Sequence, residues 1–126
     1  MKNYTILNPD VIQANMMNNR DMIRQFISLY LTQTPLDFEA LKIAVANSDH
    51  TEIANKAHHI KPTMEYVGAS DLRKKFQELE DYGKNKEDME IILHYFTKTE
   101  SFFQIFLQEL KSYYDGISLG LLDENE

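Results

Sequence analysis

Ile53-Ala54-Asn55-Lys56-Ala57-His58-His59-Ile60-Lys61-Pro62-Thr63-Met64-Glu65-Tyr66-Val67 is the stretch whose periodicity decides the fold. At roughly 100° per residue, Ile53, Ala57, Ile60, Met64 and Val67 fall within about 80° of one another and form one apolar stripe, the mark of an amphipathic helix. His58 lies roughly 140° from the middle of that stripe, so it projects away from the core. Lys61 follows three residues later, about 60° round the same surface. An imidazole on the solvent face beside a cation has the makings of a reactive group rather than a packing residue.

The same period extends in both directions. Asn8 caps a short first helix with Pro9 at its first position and Val11, Ile12 and Met16 along it. A second helix starts near Asn19 or Arg20 and carries Met22, Ile23, Phe26, Ile27, Leu29 and Tyr30. Leu36, Phe38, Leu41, Ile43, Ala44 and Val45 resume the period beyond Pro35, so the segment reads as one long helix kinked at the proline. Asn47-Ser48-Asp49 ends it and caps a third helix from about His50 to Tyr66. Gly68 breaks that helix, and Ala69-Ser70-Asp71-Leu72 opens a fourth, with Leu72, Phe76 and Leu79 at core spacing. Gly83-Lys84-Asn85-Lys86 reads as a turn. A last helix from about Glu87 to Tyr114 carries Ile91, Ile92, Tyr95, Phe96, Leu110, Tyr113 and the stripe Phe102-Phe103-Phe106, which reads as core.

These pieces predict an all-α chain, an up-and-down four-helix bundle with a short additional N-terminal helix. Residues 1–115 form the bundle, and 116–126, ending in Asp123-Glu124-Asn125-Glu126, form an acidic tail expected to fray. A chain of 126 residues that is 43% hydrophobic can bury one core without staples. It needs no second copy to close that core, so a monomer is expected. With no cysteine, disulfides, thiolate zinc sites and cysteine nucleophiles are excluded. There is no apolar run of about 18 residues and no signal-peptide pattern at Met1-Lys2-Asn3-Tyr4-Thr5, so a cytoplasmic protein without membrane association is expected. Thirteen Lys and Arg against twenty Asp and Glu give a net charge of −7, which opposes a nucleic-acid partner.

Ala57-His58-His59-Ile60-Lys61, then Gly68, Leu72 and Leu79-Glu80, resembles the pattern of the histidine-containing phosphotransfer domains of two-component phosphorelays. The likeness covers most of the chain in length and helical content, and about 25 residues carry the signature. It implies that His58 is the phosphoryl acceptor, loaded from an aspartyl phosphate on a receiver domain and unloaded onto another. Lys61 becomes the cation that neutralises the phosphoryl group, and His59 the variable residue after the acceptor. The implied partners are response-regulator receiver domains or a hybrid histidine kinase. The chain then has no cofactor of its own, and Mg2+ comes with the receiver. In place of the family's usual glycine after the lysine stands Pro62, on the His58 face about 40° away and one turn on. That departure keeps a second reading open: a module that docks receivers without carrying phosphate.

Elementary chemistry agrees with the carrier reading. A neutral imidazole is nucleophilic near pH 7 because its unperturbed pKa is about 6.5, and phosphoryl transfer asks for in-line access and charge neutralisation. No glycine-rich nucleotide loop is present, so the phosphate must arrive from another protein. His58, Lys61, His59, Pro62, Glu65, Glu80 and Lys84 are therefore the candidate site residues, with Gly68 as a structural mark. The directions of Glu80 and Lys84 are left open by the sequence. His59 is about 100° from His58, too far round for a metal pair, and reads as a solvated neighbour. His50 reads as a helix-start residue and His94 as an amphipathic flank. Met16 and Met17, with Val11 and Ile12, either form a docking patch or cap the bundle end. A carboxylate-bridged metal enzyme would need inward Glu-x-x-His pairs, which the chain lacks. A purely structural helical subunit would leave the His58 constellation unexplained.

Overall fold

A computed structural model describes residues 4–119. These contain five helices and no strand: α1 (Pro9–Asn15), α2 (Arg20–Ala46), α3 (His50–Tyr66), α4 (Ser70–Lys84) and α5 (Met89–Ser118). The starts of α1, α2 and α3 follow from cap chemistry. The side chains of Asn8, Asn19 and Asp49 each accept a hydrogen bond from a first-turn amide, Asp10 N at 3.0 Å, Met22 N at 3.0 Å and Glu52 N at 3.1 Å. α2 runs through Pro35 and α3 through Pro62 without a break in helix. Both bounds of α3 coincide with those expected from the sequence.

The helix stops show what the sequence reading missed. At the end of α3, Gly68 takes φ +70° while its amide bonds Glu65 O and the Ala69 amide bonds Met64 O, the Schellman arrangement. The same pair of bonds closes α2 at Ser48 (φ +52°) and α4 at Lys86 (φ +53°), neither of which is glycine. Gly83 is consequently not a turn residue. It lies buried inside α4, where a Cβ would stand 2.7 Å from His50 O and 2.8 Å from Ala54 N, so it marks where α4 crosses the first turn of α3 at closest range. The last helix also differs from expectation. It starts at Met89 and continues through Gly116 and Ile117, both buried, because Ile117 extends the stripe of Phe103, Phe106, Leu110 and Tyr113. The frayed tail expected from residue 116 is thus helical as far as Ser118, and residues 120–126 lie outside the described residues.

α3 packs against α2 and α4, α5 packs against α2 and α4, and α1 touches α3. At the centre the Phe38 ring stacks on Phe103 at 4.1 Å and on Phe96 at 5.3 Å between centroids, with Phe76 edge-on to Phe38 and Phe103. Phe102 does not join that core. It is partly exposed, with the Lys75 ammonium 4.6 Å from its ring centroid. Leu29, Leu36, Ile43 and Ile91 likewise follow the helical period yet face outward. At the N-terminal end, the Glu109 carboxylate accepts from the Thr5, Ile6 and Leu7 amides and the Thr5 hydroxyl, strapping that segment onto α5.

Candidate functional site

α3 and α4 run antiparallel, as their cross-contacts show: Glu65 pairs with Arg73, Lys61 with Gln77, His58 with Glu80, and Gly83 lies over His50 and Ala54. This register sets Glu80 opposite His58. The His58 side chain is 69% exposed, whereas that of Glu80 is 3% exposed. His58 Nδ1 lies 3.2 Å and 3.1 Å from the two Glu80 carboxylate oxygens. Lys61 Nζ lies 2.7 Å from Glu80 Oε1, and Lys84 Nζ lies 2.8 Å from Glu80 Oε2. Glu80, whose direction the sequence leaves open, is therefore the hub.

A carboxylate in this position is held ionised. Burial pushes the Glu80 pKa up, but the bonds from Lys61, Lys84 and His58 outweigh it and bring the group down to about 2. An ionised carboxylate can only accept hydrogen bonds, so the ring nitrogen facing it must carry the proton. The tautomer follows from the partner. With Nδ1–H committed to Glu80, the Nε2 lone pair is left on the exposed side of the ring.

The two lysines differ sharply. Lys61 is 12% exposed and its ammonium also donates to Gln77 Oε1 at 2.6 Å, while Gln77 Nε2 donates to Asp81 Oδ1 at 3.0 Å. Lys84 is 62% exposed, and the hydrogen bond to Glu80 raises its pKa, so it stays an ammonium. Gln77 was not among the residues expected from the sequence. The available signal was Gln77, Glu80 and Lys84 at three- and four-residue spacing, a polar ridge beside the Leu72-Phe76-Leu79 stripe.

The other candidates separate. His59 faces α2, with Nε2 3.7 Å from Asp37 Oδ1, and does not meet Glu80. Glu65 lies two turns from His58 and pairs with Arg73 at 2.7 Å, outside the cluster. Pro62 is exposed one turn beyond His58, and its missing amide leaves the His58 carbonyl without its helical donor. Gly68 is architectural: besides its positive φ, a Cβ there would stand 2.6 Å from Asn8 Cβ and 2.9 Å from Val11 Cβ, where α3 ends against α1. His50 does more than start a helix, since its Nε2 meets Glu87 O at 2.7 Å and pins the α4–α5 turn. Ile12 and Met16 are core, while Met17 is exposed.

No family model, curated protein or solved structure matches the chain. What the cluster can do follows from its own chemistry. An exposed imidazole with its proton held on the inner nitrogen is a nucleophile directed outward, backed by a carboxylate suited to the positive charge the ring acquires on attack. The ammonium groups of Lys61 and Lys84 both lie against Glu80, with Asp81 held nearby by Gln77, and the exposed Lys84 gives an incoming anion a cationic donor at the site on a chain of net charge −7.

Proposed function

We propose that the protein is a histidine phosphotransfer carrier, which takes a phosphoryl group onto His58 Nε2 from a receiver-domain aspartyl phosphate and relays it to another receiver in a two-component pathway. The observation that carries this reading is the hydrogen bond between the exposed His58 and the buried, ionised Glu80. Glu80 keeps the proton on Nδ1, so Nε2 attacks without first losing one. As the P–N bond forms, the P–O bond to the aspartyl carboxylate breaks and the carboxylate leaves with the bonding pair. The ring then carries a positive charge that faces Glu80, which makes the return transfer equally direct.

The scaffold reading is an up-and-down four-helix bundle of α2 to α5 with α1 appended. It is supported by the antiparallel α3–α4 register, by the closed sequence of neighbours α2–α3–α4–α5–α2, and by the short connections. Such a carrier works as a cytoplasmic monomer, and its partners are receiver domains or a hybrid kinase. The Mg2+ that assists the aspartyl chemistry comes with the receiver. Among the described residues no helix is long and apolar enough to cross a membrane.

Pro62 favours one competing reading, docking without transfer, because it alters the surface one turn from His58. Incubation with a phosphorylated receiver domain separates the two. Transfer deposits label on this chain that is acid-labile and alkali-stable, and His58→Gln abolishes it. Complex formation with no label on His58 would leave docking alone.

A further inference from the structure

The two cations at the site cannot share one role. Lys61 is nearly enclosed, and its ammonium is shared between Glu80 Oε1 at 2.7 Å and Gln77 Oε1 at 2.6 Å, with Gln77 itself held by Asp81. Two of its three N–H donors are committed there, and any movement outward toward a group on the outer ring nitrogen would weaken both bonds and leave buried Glu80 with less compensation, a costly exchange. Among the described residues Lys84 bonds Glu80 Oε2 at 2.8 Å, with the Asp81 charge also acting on it, and the same Glu80 oxygen lies 3.1 Å from His58 Nδ1. An ammonium has three N–H donors, so Lys84 has others to offer without giving up Glu80. Its side chain is 62% exposed and sits in the last turn of α4, free to follow an anion.

We infer that Lys84 is the catalytic cation that contacts the transferred phosphoryl oxygens, while Lys61 is a positioning residue that fixes Glu80, and through it the His58 ring. This rests on the phosphocarrier reading and reverses the assignment that the position of Lys61, three residues after the histidine, first implies. During transfer from the acyl phosphate, negative charge gathers on the equatorial oxygens as P–O breaks and P–N forms. Lys84 meets that charge at the outer side of the ring. Lys61 remains below, bonded to the carboxylate.

The test loads the full chain chemically with phosphoramidate and follows the phosphoryl group on His58 by 31P NMR as pH is varied. A cation touching the phosphoryl group lowers its second pKa, so Lys84→Gln should raise that value by about half a unit, and Lys84→Arg should restore it. Lys84→Gln should also slow loading from a phosphorylated receiver about tenfold while leaving the end-point label on His58. Lys61→Met should leave the phosphoryl titration in place. An unchanged titration and rate in Lys84→Gln would overturn the assignment, as would a titration shift confined to Lys61→Met. Failure of His58 to take phosphate from either donor would instead remove the carrier reading itself, and this assignment with it.

Discussion

Glu80→Leu is expected to lower the unfolding free energy by about 3 kcal/mol, because it strips the counter-charge from Lys61 while the ammonium stays enclosed between α3 and α4. Gln77 then remains as a neutral partner for a charge that needed a carboxylate. Removing the charge as well should recover most of the loss: Glu80→Leu/Lys61→Met leaves an apolar pair in place of an ionic one, and the two substitutions should be strongly non-additive in urea denaturation. The pH dependence has a definite sign. Glu80 has a folded pKa of about 2 against an ordinary 4.5, and a depressed carboxylate stabilises the fold above the ordinary value. That contribution, about 3 kcal/mol, is lost as pH falls from 4.5 toward 2. The Glu109 carboxylate is pushed up by burial, but its bonds to Thr5, Ile6 and Leu7 hold it below the usual range, so it adds to acid sensitivity in the wild type and the variant alike. The expected signature is therefore a shallower decline in Glu80→Leu than in the wild type over that window. Parallel curves, or additive effects of the two substitutions, would show that Glu80 is not the anchor of the cluster. Transfer should fall in the double variant even though most of the stability is recovered, since His58 then lacks the Glu80 acceptor for Nδ1–H and either ring nitrogen can hold the proton.

The parts of this molecule that were legible in the sequence are those fixed by local chemistry. Asn8, Asn19 and Asp49 announce their helices because a cap satisfies amides only two or three residues away. The outward direction of His58 follows from helical angle alone, and so does the inward set of Ile53, Ala57, Ile60 and Met64. The stops were harder. Ser48 and Lys86 adopt left-handed φ without being glycine, so glycine as a stop signal points to Gly83, three residues before Lys86, where the left-handed turn after α4 lies. Apolar period also says which side of a helix is greasy, not how wide its cover is. Leu36 and Ile43 keep the spacing but stay largely exposed, and Phe102 meets the Lys75 ammonium of α4 rather than the apolar core. At the site, Glu80 and Lys61 sit at matching edges of the α4 and α3 stripes, and each becomes enclosed only when the two helices come together. Their pairing is a property of interhelical distance, which no single-helix periodicity contains.

That distance is set at Gly83, and Gly83→Ala should expose it. An alanine in the interior of an ordinary helix is favoured over glycine by about 1 kcal/mol. Here the added Cβ would stand 2.7 Å from His50 O and 2.8 Å from Ala54 N, backbone atoms of the first turn of α3 that cannot swing aside as a side chain can. α4 must move outward or its end must distort, and the overpacking cost of a few kcal/mol outweighs the propensity gain, for a net loss of about 2 kcal/mol. The displacement has a second consequence. Glu80 lies one turn before Gly83 on the same helix, and its contacts with His58 Nδ1 at 3.1 Å and Lys61 Nζ at 2.7 Å leave little room for an outward shift. Hydrogen bonds weaken steeply beyond about 3.5 Å, so loading of His58 should slow in Gly83→Ala under conditions where the variant is still fully folded. Thermal unfolding and the loading rate can be measured on one preparation. A Gly83→Ala protein at least as stable as the wild type would mean that this glycine is a mere helix weakness, and that something other than the α3–α4 crossing holds Glu80 beneath His58.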